Sequence, residues 1–291
     1  MKKIFVVGAV AIISAMTVGA TLAFGESGTS GAGGSTSGPG GSPIIRVSGA
    51  THGLPTVASN WSGYAVTTKP SDPFTYVHST FVQPSIACNG TPETVTSNWV
   101  GLDGFNDETV EQDGTGANCM KGDGYKTARY YAWIEMYPLA SVNTFAVKPG
   151  DKISASVSYA GGGRFSLTIA DVTQHLSRTV TGTCTSCLRD SAEWIIERPA
   201  GCNQSETKCF LFALANFGTT TMSKNVATLQ GGSPEPLDSF SNSYPIYMIQ
   251  PSKRGFYALD LTSSVSSSNS FSETWEHYGK VTPITLGPDH N

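Results

Sequence analysis

The stretch "DKISASVSYAGGGRFSLTIADVT", residues 151–173, decides the fold class. Ile153, Ala155, Val157 and Tyr159 alternate with polar residues, and beyond three glycines Phe165, Leu167 and Ile169 alternate in the same way. A period of two collects apolar side chains on one face of a pleated strand, and a glycine interruption between two such runs predicts a hairpin. Further strands are expected at "YVHSTFVQP" (76–84), "TSNWVGLDG" (96–104), "RYYAWIEMYP" (129–138), "SYPIYMIQP" (243–251) and "GFYALDLTSSV" (255–265). No stretch carries a long, capped period of 3.6. The expected fold is therefore all-β, an antiparallel β-sandwich of two packed, curved sheets.

Before this region the composition changes twice. Residues 1–23 open "MKKIFVVGAVAIISAMTVGATLA", with a basic start, an apolar run and small residues near its end, which predicts a secretory signal peptide. The competing reading, a retained membrane anchor, is disfavoured because the run is short and broken by Ser14, Thr17 and Gly19. Residues 24–56 contain "GESGTSGAGGSTSGPGGS" (25–42) and are expected to form a Gly/Ser-rich linker or a short pro-segment. The folded domain is expected over 57–291.

A secreted, extracellular and monomeric product is expected. With 14% charged residues and a formal charge of −4, the chain offers neither a nucleic-acid groove nor an affinity for an anionic membrane once the leader is gone. So sparsely charged a surface suits an acidic medium.

All six cysteines, at 88, 119, 184, 187, 202 and 209, follow the leader, and an even count in an exported chain argues for disulfides. Zinc is the other reading of Cys184-x-x-Cys187, but a matching second pair is missing. There is no HExxH, P-loop or G-x-S-x-G pattern, and the five histidines do not cluster. No metal and no cofactor are expected.

The acidic residues are more informative. In "SAEWIIERPAG" (191–201) Glu193, Ile195 and Glu197 share one strand face, and Ala192, Trp194 and Ile196 the other. Four residues of strand separate the two carboxylates by roughly 13 Å, so each needs a partner from another strand. Gln112 and Glu135 are the candidates. Tyr131, Trp133, Glu135 and Tyr137 also share a face, too polar and aromatic for an ordinary core and suited to the floor of a groove. Composition and alternation alone would support a glycosidase using Glu135 and Glu197, or glutamates that are merely hydrogen-bonded within sheets.

Taken together, "SNWSGYAV" (59–66), "SNWVGLDG" (97–104), "VEQDGTG" (110–116), "YAWIEMYP" (131–138) and "SAEWIIERP" (191–199) resemble the glutamic peptidases, or eqolisins, in the family's order and at similar separations. The resemblance covers roughly residues 57–215. It implies a concanavalin-like sandwich and an acid endopeptidase acting on protein or peptide substrates without metal or covalent intermediate. By the same matching Glu197 and Gln112 are the catalytic pair, and Trp99, Asp103 and Glu135 line or support the site, near Trp133 and Tyr131. Glu197, ionised in the free enzyme, would take a proton from water and return it to the leaving nitrogen, while the Gln112 amide donates to the oxyanion. Arg198 points away by alternation, yet its charge is placed to lower the pKa of Glu197. Glu193 is expected to be a supporting hydrogen-bond partner.

The resemblance also implies a bond between Cys202 and Cys209. The family's other bridge has no counterpart cysteine in "LDGFNDE", which leaves Cys88 or Cys119 to join Cys184 or Cys187, with the choice open. Fungal members carry "WYEWYP"-like motifs where this chain has Tyr131, Ile134 and Met136, so peptide preference is not carried over. A secreted lectin-like module that binds without turnover is the remaining alternative, and it predicts that Trp133 matters while Gln112 and Glu197 are dispensable.

Overall fold

The hairpin that decides the fold class is present in the computed structural model, which describes residues 41–47, 56–89, 93–202 and 208–284. The expected signal peptide and most of the 24–56 segment lie outside the described residues. In chain order the strands are β1 (Thr56–Ala58), β2 (Trp61–Thr67), β3 (Phe74–Val82), β4 (Thr94–Leu102), β5 (Val110–Cys119), β6 (Ala128–Tyr137) and β7 (Val142–Ala146). There follow β8 (Lys152–Tyr159), β9 (Arg164–Asp171), β10 (Leu176–Thr183), β11 (Ser191–Glu197), β12 (Ala200–Cys202), β13 (Cys209–Leu211) and β14 (Ala213–Leu214). The last are β15 (Thr219–Leu229), β16 (Glu235–Pro236), β17 (Ser243–Ser252), β18 (Gly255–Thr262), β19 (Ser270–Trp275) and β20 (Thr282–Ile284).

The pairings resolve into two ribbons of strands. One runs β7-β6-β5-β4-β11-β2-β17-β18, the other β10-β9-β8-β3-β15-β19, and a short β18–β19 ladder joins them at one edge. Within the deciding hairpin, Ile153 pairs with Asp171 and Tyr159 with Phe165. Gly161, Gly162 and Gly163 turn the chain with φ of 85°, 61° and 75°, a left-handed run that only glycine adopts without strain.

Period two then fills the space between the ribbons. Ile153, Ala155, Val157, Phe165, Leu167 and Ile169 are buried against Val100, Ile134 and Trp194, which come from the core-facing positions of β4, β6 and β11. Trp194 brings a polar atom into this core and satisfies it by donating from Nε1 to the His78 carbonyl at 2.9 Å. The central strands of the first ribbon are buried on both faces: every residue of β4 and β11 is buried. The face turned away from the core is the one that carries the site.

Cys202 is bonded to Cys209, as the family resemblance implied. The other four cysteines pair differently from the cross-links left open by the sequence: Cys88 joins Cys119, and Cys184 joins Cys187. Cys119 ends β5 beside the segment that follows β3, whereas Cys184 and Cys187 close their own loop after β10, so each finds its partner locally. This also takes Cys184-x-x-Cys187 out of use as a thiolate pair.

Because Leu167 is fully buried between the ribbons, Leu167→Ala is expected to cost about 2–5 kcal/mol. Ser166→Ala, on the opposite face of the same strand, should stay within about 0.5 kcal/mol. Urea denaturation of the two variants reads the difference.

Candidate active site

Cross-strand register assembles the site from rows running across five strands. Trp61, Glu197, Ser97, Gly116 and Tyr131 form one row; Gly63, Ile195, Trp99, Gly114 and Trp133 the next; Ala65, Glu193, Gly101, Gln112 and Glu135 a third. Paired residues share a face, so all three rows lie on the side away from the core. Four of the fifteen positions are glycines, and three of them, Gly101, Gly114 and Gly116, lie against Trp99 or Tyr131 and give those rings room. A Cβ at Gly114 would overlap the Asn98 carbonyl and lie 2.5 Å from the Trp99 Cβ, and one at Gly116 would lie 2.5 Å from the Tyr131 ring.

Glu197 ends β11 and is fully buried. Its Oε2 accepts from Trp99 Nε1 at 2.9 Å, and the Trp99 ring meets Trp61 edge to face at 4.9 Å. Its Oε1 accepts from the Ser42 amide at 3.1 Å, the Ser42 hydroxyl at 3.0 Å and Asn60 Nδ2 at 3.4 Å. Gln112, two rows away on β5, is also fully buried and donates from Nε2 to Glu135 Oε2 at 2.9 Å. The same Glu135 oxygen accepts from the Gly41 amide at 2.7 Å. Gln112 Oε1 has no hydrogen-bond partner among the described residues. Two consecutive backbone amides, of Gly41 and Ser42, thus bridge Glu135 to Glu197.

Burial sets the protonation of both acids. It raises the Glu197 pKa to about 8 although the bonds from Ser42, Trp99 and Asn60 oppose it. Burial also lifts Glu135 well above the carboxylate range, and the charge of Glu197 adds to the rise. Arg198 does not lower Glu197 as expected. Its guanidinium is turned away, buried, and donates to the Lys280 carbonyl at 3.2 Å and Thr282 Oγ1 at 3.4 Å. Burial brings Arg198 itself down to about 10.

Among the other residues singled out from sequence, Trp133 and Tyr131 are buried on the site face, packed with Trp61, Trp99 and Ile195. Asp103 follows β4 with φ 70° and accepts from the Asp190 amide at 2.9 Å, so it holds the turn at the far end of the rows. Glu193 is not a hydrogen-bond partner of Glu197, which the intervening row keeps out of its reach. The charges that act on Glu193 are those of Asp103, Asp107 and Asp190. Asn60, Ser42 and Gly41 were missed. Asn60 stood inside the "SNWSGY" motif, and the apolar pair Ile44-Ile45 just beyond the glycine-rich run was the one sign that this segment packs.

These features accompany a clear kinship. Residues 59–275 match the Peptidase A4 family, and the chain belongs to that family. It is a glutamic-type peptidase, a member of the eqolisin group. Among solved structures, Scytalido-glutamic peptidase with a peptide-based transition-state analog aligns with a TM-score of 0.62 and 24% identity, over 75% of this chain and 98% of that one. SCP-B, an eqolisin in complex with the tripeptide Ala-Ile-His, aligns with a TM-score of 0.60 and 23% identity over the same shares. At these identities the alignments establish the fold. A comparison with curated proteins found no match.

The site belongs to a wider set of buried acids. Burial raises the pKa of Asp103 and Asp260 to about 7 each, and drives Glu111, Asp113, Glu193 and Glu273 well above their ordinary range. Such groups are neutral in the fold and ionise near pH 4 when unfolded, so the folded state holds more protons between those values. Their contribution to stability is complete below about pH 4 and is lost as pH rises through the folded pKa values. The thermal midpoint is therefore expected to be higher at pH 4 than at pH 8, by at least about 5 °C; calorimetry across that range checks it.

Proposed function

We propose that this glutamic peptidase is a secreted acid endopeptidase in which Glu197 and Gln112 act on one water and one peptide bond. A peptide carbonyl is a poor electrophile, so attack needs a base for the water and a donor for the oxyanion. Glu197 removes a proton from water as its oxygen bonds to the carbonyl carbon. Gln112 Nε2 donates to the oxygen that gains charge. When the C–N bond breaks, Glu197 returns the proton to the departing nitrogen, leaving a carboxylic acid and an amine.

The observation that carries this reading is the bridge between the two acids. A backbone amide is received by Glu197 Oε1, and the preceding residue lies against the Gln112 amide, the arrangement a peptide substrate requires. Glu135 orients that amide by accepting from Nε2, which suits a positioning residue better than a second catalytic carboxylate. As base, Glu197 must be ionised. The value near 8 belongs to a site covered by Gly41 and Ser42, and water admitted to an open site lowers it toward the ordinary carboxylate range. Secretion rests on the leader over residues 1–23, and a monomer is the assembly this reading takes.

Hydrolysis of a denatured protein substrate should occur in acid, resist pepstatin and a metal chelator, and disappear in Glu197→Gln. Gln112→Ala is expected to lose about 10²–10³ in kcat, the usual cost of one oxyanion donor. Activity undiminished in either variant, measured from pH 2 to 7, would remove the pair from the mechanism.

A further inference from the structure

The turn that follows β4 and the residue that precedes β11 bring three aspartates together at the far end of the site rows. Asp103, Asp107 and Asp190 each place one carboxylate oxygen within 4.8 Å of an oxygen of the other two. Asp103 is fully buried, and Asp107 and Asp190 are half-buried. Bonds to the backbone use only part of this set. Asp103 Oδ1 accepts from the Asp190 amide at 2.9 Å, and Asp107 Oδ1 accepts from the Gly104 amide at 2.8 Å and the Thr109 amide at 3.3 Å. Asp103 Oδ2, Asp107 Oδ2 and Asp190 Oδ1 are buried and receive no hydrogen bond among the described residues. Each carboxylate therefore has one oxygen left over.

A buried carboxylate oxygen without a partner is costly, and here the surroundings add to the cost. The charges acting on Asp103 are those of Asp107 and Asp190, and those acting on Asp107 are those of Asp190 and Glu108. Glu111, another acid, comes within hydrogen-bond reach of Asp103. Glu193 lies outside the three, yet it is fully buried, neither of its oxygens receives a hydrogen bond, and the charges of all three aspartates act on it. The guanidinium nearest in sequence is directed elsewhere. Arg189 stands 3.6 Å from the centre of the Tyr159 ring and donates to the Phe74 carbonyl at 3.2 Å.

Oxygen donors held this close by backbone amides suit a hard divalent cation. Calcium accepts an irregular set of carboxylate and water oxygens, whereas magnesium demands a nearly octahedral shell. We propose that Asp103, Asp107 and Asp190 form a calcium site that ties the turn after β4 to the start of β11, with water completing the shell. The ion is structural and takes no part in hydrolysis, so the site does not depend on the peptidase reading. Its place is beside Gly104, where a Cβ would lie 3.2 Å from the Trp61 ring, and it braces the ends of the strands that carry Trp99 and Glu197. Protons and calcium compete for the same oxygens. In acid, protons neutralise the cluster; at neutral pH the cation takes their place.

The test adds calcium chloride to the full chain after metal has been removed with a chelator. At pH 7.5 calcium at about 100 times its Kd should raise the thermal midpoint by at least about 5 °C, and at pH 4 the same addition should leave it unchanged. Terbium, which occupies calcium sites, should luminesce through Trp61, and calcium should displace it. Asp107→Asn keeps the oxygen that receives the Gly104 and Thr109 amides and replaces the other with a nitrogen. It should lose at least tenfold in calcium affinity by isothermal titration, as should Asp190→Asn, while the exposed Asp238→Asn binds as the wild type does. No heat of binding and no shift in the wild type at pH 7.5, up to about 10 mM calcium, beyond the range of extracellular calcium modules, would overturn the proposal. So would an equal response to calcium in the wild type and the Asp107 and Asp190 variants.

Discussion

Everything at the site depends on the cross-strand register of β2, β11, β4, β5 and β6. Side chains on a strand change face at every residue, so a slip of one position in any of these ladders would send Glu197 or Gln112 into the core and bring Trp194 or Asp113 to the surface. The register is held from both sides. On the core face Val100, Ile134 and Trp194 are fixed by the second ribbon, and on the other face Trp61, Trp99 and Trp133 are packed in one cluster, with Gly101 and Gly114 lying against Trp99. Catalytic geometry is therefore a by-product of packing. No loop has to close for Glu197 and the Glu135–Gln112 pair to lie on the same face.

A second constraint follows from where the acids are put. Eight carboxyl groups are buried where no lysine or arginine charge offsets their desolvation. In neutral solution such a set would be a heavy liability, since ionising a buried carboxylate without a partner costs far more than any single hydrogen bond returns. In acid the groups are simply polar. Asp260 shows the pattern: it accepts from the Ser62 hydroxyl at 2.5 Å and shares a hydrogen bond with Glu273, so a proton between acids takes the place of a salt bridge.

The fold was legible because its signals are local. Alternation over residues 151–173, the triple glycine and the absence of helical periodicity led directly to two layers of antiparallel strands. Alternation also sorted Glu193 and Glu197 from Trp194 and Ile196. What alternation could not supply is distance along a row. It could separate Glu193 from Glu197 along their strand but could not say which groups on neighbouring strands meet each of them, and it could not choose among four cysteines whose partners prove to be Cys88 with Cys119 and Cys184 with Cys187. Nor could it see that Arg198 donates to the Lys280 carbonyl and the Thr282 hydroxyl instead. The segment 41–47 escaped notice for a different reason. Glycine and serine look like a linker when only composition is weighed, yet here the missing side chain at Gly41 is what lets the backbone approach Gln112.

The buried acids also change what the molecule looks like from outside. The formal charge of −4 treats every carboxyl group as ionised. In the folded protein burial raises the pKa of eight of them, so over the mildly acidic range the native state carries less negative charge than the unfolded chain, which ionises the same acids near pH 4. Folding thus makes the net charge less negative. In an electric field at mildly acidic pH the native form should migrate less strongly toward the anode than the denatured one, and an anion exchanger should hold the denatured form more tightly.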